Sequence, residues 1–282
     1  MQDASKPIWI KQPDSSAVPK VQQEIRICVA TPVHSNVSIF YTQALLKFQQ
    51  ECFQQNILVS FVLLKSSLVT QGRNLCVSNF LEDANNYTHL LFIDSDIDFN
   101  SESVFTMLKK DKDIIAIPYP MKDINWDRII SKWKVSPPTD AFKLSTTGYT
   151  FPIRLEDSEH IKIDDGVMEV SHAPTGCMLI KRSTILKMME HYPDLKINQP
   201  TIINGKEIEK PHFYNLFDTL HDPVTKKFFG EDFGFCQRWT DMGGKCYVYV
   251  MDYISHIGDY VYTGRFWDDL QRLKKIDDEP KI

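Results

Sequence analysis

"HLLFIDSDIDFN", His89 to Asn100, sets four apolar residues, Leu90 to Ile93, directly before Asp94, Asp96 and Asp98 at alternate positions. A short apolar run with a polar end suits a strand buried on both faces, as in a parallel sheet. If the strand continued, its period of two would send Asp94 and Asp96 to the same side, where like charges repel unless a cation or donors compensate them. A divalent metal is the economical solution. The plainer alternative is a solvated loop whose carboxylates cap the following helix, the better reading for an isolated pair of this spacing.

The flanking sequence supplies the setting. "IRICVATP" is a β-rich run that stops at Pro32 and suits a buried first strand beginning near Ile25. Tyr41, Ala44, Leu45, Phe48 and Cys52 then share one helical face, with Ser35 or Ser38 available as the cap. "ILVSFVLL" reads as a second strand. A second amphipathic helix follows "TQGRN", carrying Val77, Phe80, Leu81 and Ala84, and leads into the quoted strand. Asn100 or Ser101 can cap a third helix with Val104, Phe105 and Leu108, and "IIAIP" supplies another strand. This βαβαβ alternation argues for an α/β fold with a mostly parallel sheet, whose ligands bind beyond the carboxyl ends of the strands.

Order from "YPMKDINWDRI" to Asp165 is not legible in the pattern. Beyond it, "GVMEVSHAPTGCMLIKRSTILKMMEHY" reads as strand, turn, strand and helix. "FFGEDFGFCQRWTDMGGKCYVYV" reads as a turn, a helix with Phe235, Cys236, Trp239 and Met242 inward, a stop at Gly243 or Gly244, and a final strand. Residues 1–24, rich in Pro, Ser and Gln, read as an arm or linker, leaving one domain over 25–282.

Composition narrows the function. With 282 residues, 43% hydrophobic, the chain can bury a substantial core, and a net charge of −5 gives no basic field for nucleic acid. "MQDASKPIWIKQPDSSAVPK" lacks the apolar core of a signal peptide, and no later segment approaches a membrane span, so the expectation is a cytoplasmic protein. Six cysteines without a C-x-x-C pair read as reduced core positions. An EF-hand is excluded, because the sixth position from Asp94 is Phe99 and the twelfth is Phe105. A phosphatase is disfavoured, since its aspartates normally end the first strand.

Four stretches in this order, "ICVATPVH", "LLFIDSDIDF", "GEDFGFCQR" and "YISHIG", resemble the motifs of the GT-A class of nucleotide-sugar-dependent glycosyltransferases, of the family-2-like kind. The likeness runs from Ile25 to about His256, with a gap in the middle. It implies a GT-A fold with an acceptor-side lobe, a donor half of about 25–125, an acceptor half of about 126–260 and a tail over 261–282. It further implies transfer of a sugar from a nucleotide diphosphate, a UDP-sugar by first choice, to the hydroxyl of a glycan, protein or small molecule. Thr31, Pro32 and Arg73 would bind the nucleotide, Asp94 would approach the ribose or sugar, and Asp96 with His256 would ligate Mn²⁺ or Mg²⁺. Asp232 would be the general base of an inverting mechanism, with Glu231 and Gly176 toward the acceptor.

Each residue also has a plainer role. Arg73 would be a surface charge at the start of a helix, Asn74 a cap, Lys122 solvated and Trp126 a core ring. Glu231 and Asp232 would be first-turn dipole partners, and His256 no more special than His172 or His221. A non-catalytic sugar-binding module, a retaining transferase and a nucleotidyltransferase stay open as alternatives.

Overall fold

The computed structural model describes residues 24–277 except 83, 136, 156–160 and 204–205, so the expected arm, but for Glu24, lies outside the described residues. The first half alternates as the periodicity predicts: β1 (Arg26–Val33), α1 (Ile39–Gln54), β2 (Leu58–Lys65), α2 (Val69–Glu82), β3 (His89–Ile93), β4 (Ile97–Asp98), α3 (Ser101–Lys110) and β5 (Ile114–Ala116). Next come α4 (Trp126–Val135), α5 (Ala141–Thr147), β6 (Ile163–Asp164), β7 (Val167–Val170), β8 (Cys177–Lys181) and α6 (Arg182–His191). The chain continues through β9 (Thr201–Ile203), β10 (Lys206–Ile208), β11 (Leu220–His221), β12 (Phe228–Phe229), α7 (Glu231–Asp241) and β13 (Cys246–Tyr249). It closes with β14 (Ile254–Ile257), β15 (Val261–Gly264) and α8 (Phe266–Asp277).

The central sheet runs β2-β1-β3-β8-β5-β13-β7-β6, a mostly parallel α/β sheet flanked by helices. β1 is parallel to β2 and β3, and β13 to β5, while β8 runs antiparallel between β3 and β5 and β7 antiparallel to β13 and β6. β1, β3 and β8 are covered on both faces, as their continuous hydrophobicity requires, while the edge strand β2 leaves Leu63 half exposed. Leu90 and Phe92 of β3 pack with Phe80 of α2 and Phe235 of α7, whereas Leu91 and Ile93 pack with Tyr41 and Phe48 of α1 and Phe105 of α3. Truncating the fully buried Phe48 to Ala would cost about 3–5 kcal/mol.

Ends and caps follow from local chemistry. Ser38 caps α1 by accepting from the Phe40 N–H, Asn100 caps α3 by accepting from Glu102, and Gly243, at φ +82°, ends α7 in the left-handed region. β1 runs past Pro32 to Val33, because β2 still pairs it there although β3 has ended alongside by Ala30. α2 begins at Val69, ahead of the predicted start, because Gly72 lets its first turn sit close to β1: a Cβ there would lie 3.1 Å from that of Pro32.

The strand over 246–249 is not the last. Residues from 261 form β15 and α8, whose Phe266 and Leu270 join the core, and β15-β14-β4 make a second, three-stranded sheet. All six cysteines are buried and none forms a disulfide, as expected. Among the described residues no helix is long and apolar enough to cross a membrane.

Candidate active site

The strand does not continue through the aspartates, which leave β3 in a turn. Asp94 donates its N–H to Gly176 O at 3.0 Å, and its carbonyl accepts from Ile97 N at 3.0 Å. β4 then pairs with β14, Ile97 opposite His256 and Asp98 opposite Ser255, and Ile257 N donates to Asp96 O at 2.7 Å. The pairing brings His256 Nε2 to 3.6 Å from Asp96 Oδ2. His256 Nδ1 lies 3.0 Å from Pro120 O, and a carbonyl only accepts, so Nδ1 carries a proton and Nε2 is the ring nitrogen that faces Asp96.

A partly buried carboxylate needs a cation beside it. Lys122 Nζ supplies one, 2.5 Å from Asp96 Oδ2. Burial works against ionising Asp96, yet His256 and Lys122 prevail and hold its carboxyl down to about 2. Lys122 is therefore an ion-pair partner at the site and not the solvated charge expected from the sequence.

Arg73 lies in the second turn of α2, where the early helix start places it, and is 3% exposed instead of at the surface. Its Nη2 donates to Asp94 Oδ2 at 3.2 Å, and its Nε donates to Glu231 Oε1 at 3.4 Å. Nη1 stands 3.0 Å from Asp94 Oδ1 but is not aligned to donate, so it adds charge without a hydrogen bond. Burial disfavours the charged guanidinium, and the two carboxylates overcome it, raising the group above its ordinary value. The neighbouring Asn74 is an internal tie and not a cap: it donates to Asn215 Oδ1 at 2.9 Å and accepts from Phe217 N at 2.9 Å.

That tie seats the loop over α7. A Cβ at Gly234 would lie 2.4 Å from Asp218 O, and Arg238 Nη1 donates to the carbonyls of Leu216 and Asp218 at 3.0 Å each. α7 is held so that its first-turn acids face the Arg73 end of the site. Asp232 Oδ1 accepts from Phe233 N at 2.7 Å, but burial first, and the Glu231 charge second, push its carboxyl up to about 6. A carboxylate in that range is poised to take up a proton near neutral pH.

Tyr119, between two prolines after β5, is the site residue that the motifs did not mark. Its ring meets His256 edge-on at 4.9 Å and covers Gly176, where a Cβ would lie 2.4 Å from Tyr119 Cε1. Burial, and then the charges of Asp94 and Asp232, keep its phenol protonated well above the ordinary range, with Arg73 opposing. Gly176 thus has a steric reason to be glycine.

Other residues named from the sequence make contacts of their own. The Thr31 hydroxyl is buried, 2.6 Å from Tyr41 OH, and Pro32 abuts Gly72. Asp98 sits in β4, its carboxyl raised by burial, and Trp126 is 65% exposed at the head of α4 instead of in the core. His172 is buried, stacked on Phe229 at 5.2 Å, and His221 is exposed in β11, so His256 is the histidine of the three that meets Asp96.

Among the described residues no three His, Cys, Asp or Glu side chains gather into a metal shell. Asp96 and His256 together still fit Mn²⁺ or Mg²⁺ of the kind that completes its coordination with phosphate oxygens and water. The fixed Nδ1–H of His256 leaves the correct ring nitrogen for it.

The sequence matches no protein-family model and no curated protein sequence. Among solved structures, it is similar to the A197 protein from STIV, with 16% identity, a TM-score of 0.44 and coverage of 83% of this chain and 86% of that one. It is similar to a glycosyltransferase involved in glycosylation of the major capsid of PBCV-1, at 9% identity and TM-score 0.31, over 60% of this chain and 65% of that one. A third is the 4-diphosphocytidyl-2C-methyl-D-erythritol synthase of Anaerococcus prevotii, at 11% identity and TM-score 0.30, over 78% and 100%. All three scores lie below 0.5.

Proposed function

We propose that this chain is an inverting, divalent-metal-dependent glycosyltransferase that moves a sugar from a nucleotide diphosphate, a UDP-sugar by first choice, to a hydroxyl acceptor. The observation that carries the reading is Arg73, which joins Asp94 of the first acidic group to Glu231, next to Asp232, from inside the protein. The contact supports reading the donor-binding and proton-accepting groups as parts of one site at the carboxyl end of β3.

In this reading residues 25–125 form the donor half and 126–260 the acceptor half of one domain. Asp94, backed by Arg73, orients the ribose or sugar, and Thr31 and Pro32 shape the end of β1 behind the nucleotide. Asp96 and His256 would hold Mn²⁺ or Mg²⁺, which when bound neutralises charge on the departing diphosphate. Asp232 takes the proton as the acceptor oxygen bonds to the anomeric carbon and the bond to the diphosphate oxygen breaks. Its carboxyl at about 6 suits that task, since it is ionised at neutral pH and still basic enough to accept. Glu231 and the Gly176 turn border the acceptor.

The test is a screen of UDP-, GDP- and other nucleotide sugars for diphosphate release with Mn²⁺, followed by NMR of the product anomer from any donor that turns over. Turnover with inversion supports the reading. Binding without turnover would make the protein a sugar-binding module, a retained anomer would redirect the search for the catalytic group, and absence of binding across the panel would sink the reading.

A further inference from the structure

We propose that Lys122 is an internal counter-ion for Asp96 that a divalent cation must displace, so that metal and nucleoside diphosphate enter this site only together. The inference rests on the donor-site reading above and adds a binding rule that the acidic motif does not contain.

Three observations carry it. Lys122 Nζ lies 2.5 Å from Asp96 Oδ2, the same oxygen that stands 3.6 Å from His256 Nε2. The ammonium therefore already compensates the oxygen that an incoming cation would use. The lysine is also housed: a Cβ at Gly258 would come within 3.0 Å of Lys122 Cδ, so the glycine after β14 leaves the room its stem occupies. Finally, the segment is fixed around the pair. Tyr119 meets the His256 ring, Pro120 O accepts from His256 Nδ1, and Met121 N donates to Thr150 O at 2.8 Å.

The consequence is thermodynamic. A metal arriving alone gains two protein ligands, Asp96 and His256, and must break the Lys122 ion pair to do so. A diphosphate arriving with it supplies further oxygens to the ion and a new anionic partner for the freed ammonium, whose side chain is 36% exposed. Each ligand then raises the affinity for the other by the same factor. Lys122 is in this sense a positioning residue that sets the order of assembly.

The experiment titrates the full chain with Mn²⁺, reading free Mn²⁺ by its EPR signal, with and without UDP and then GDP, for wild type, Lys122→Met, Lys122→Ala and the double variant Lys122→Met/Asp96→Asn. Thermal melts confirm folding. Removing Lys122 should tighten Mn²⁺ binding in the absence of nucleotide by about tenfold or more and shrink the enhancement that UDP or GDP gives, and adding Asp96→Asn should cancel the gain. Wild type that binds Mn²⁺ with nucleotide while neither Lys122 variant changes the nucleotide-free affinity overturns this proposal and leaves the donor-site reading standing. Failure of every form to bind Mn²⁺ with either nucleotide overturns both.

Discussion

Arg73, 3% exposed, stands with its guanidinium 3.0 Å from the carboxylate of Asp94, a residue of the turn that ends β3. Its other edge reaches Glu231 at 3.4 Å. Arg73→Ala would leave two partly buried carboxylates facing each other uncompensated. The expected loss is about 2–4 kcal/mol in urea unfolding, below the full cost for a dry pair because both acids keep some contact with water. Arg73→Lys should recover only part of it, since an ammonium cannot serve both carboxylates with a planar fork. A loss below about 0.5 kcal/mol for the Ala variant would show the contact to be incidental.

Asp232 should separate chemistry from stability. Its folded carboxyl, at about 6, lies above the ordinary 3.8, so the folded state favours the proton and stability falls as pH rises from about 4 through 6. Asp232→Asn should then be more stable than wild type at pH 7.5, on the order of 1–3 kcal/mol, with the difference vanishing near pH 3.5. Transfer should fall by about 10² to 10⁴ while nucleotide affinity holds. Equal melting temperatures at pH 7.5 would contradict the raised carboxyl.

The wild-type rate should carry the same signature. If Asp232 accepts the proton, kcat/KM rises with pH through about 6 and levels off above it, because only the ionised form is a base. A flat profile from pH 5 to 8 with chemistry rate-limiting would remove Asp232 from that role.

At the metal pair, Asp96→Asn should abolish the difference in nucleoside diphosphate affinity between Mn²⁺ and EDTA, since the amide binds a hard cation poorly. His256→Ala should reduce that difference by about 10- to 100-fold. Calorimetry with UDP and GDP measures both. Full metal dependence in His256→Ala would leave the histidine as a packing partner of Tyr119.

Gly176→Ala should be destabilised by about 1–3 kcal/mol, because the new methyl overlaps the Tyr119 ring at 2.4 Å. Combining it with Tyr119→Ala should cost less than the two single changes added together. Strict additivity in that double-mutant cycle would mean that the ring moves away freely.

Much of the fold was legible before any coordinates. The runs 27–30 and 90–93 are apolar on both faces, and the helices beside them repeat their apolar side chains at helical spacing, so burial dictates a covered, mostly parallel sheet. The acids at the end of β3 follow from the same pattern, because a strand that ends in carboxylates must end at the surface. Sequence periodicity reports how one element meets the core, and for these elements that was enough. It could not report contacts between segments far apart in the chain, where much of the site was decided. The pairing of β4 with β14 sets His256 against Asp96; the close fit of Gly72 on Pro32 starts α2 early and buries Arg73; the loop over Gly234 turns Glu231 and Asp232 inward. Tyr119 had no readable pattern and Lys122 only a bare charge in the sequence, because what fixes them is the space left by Gly176 and Gly258 and the charge of carboxylates that only the folded chain brings together.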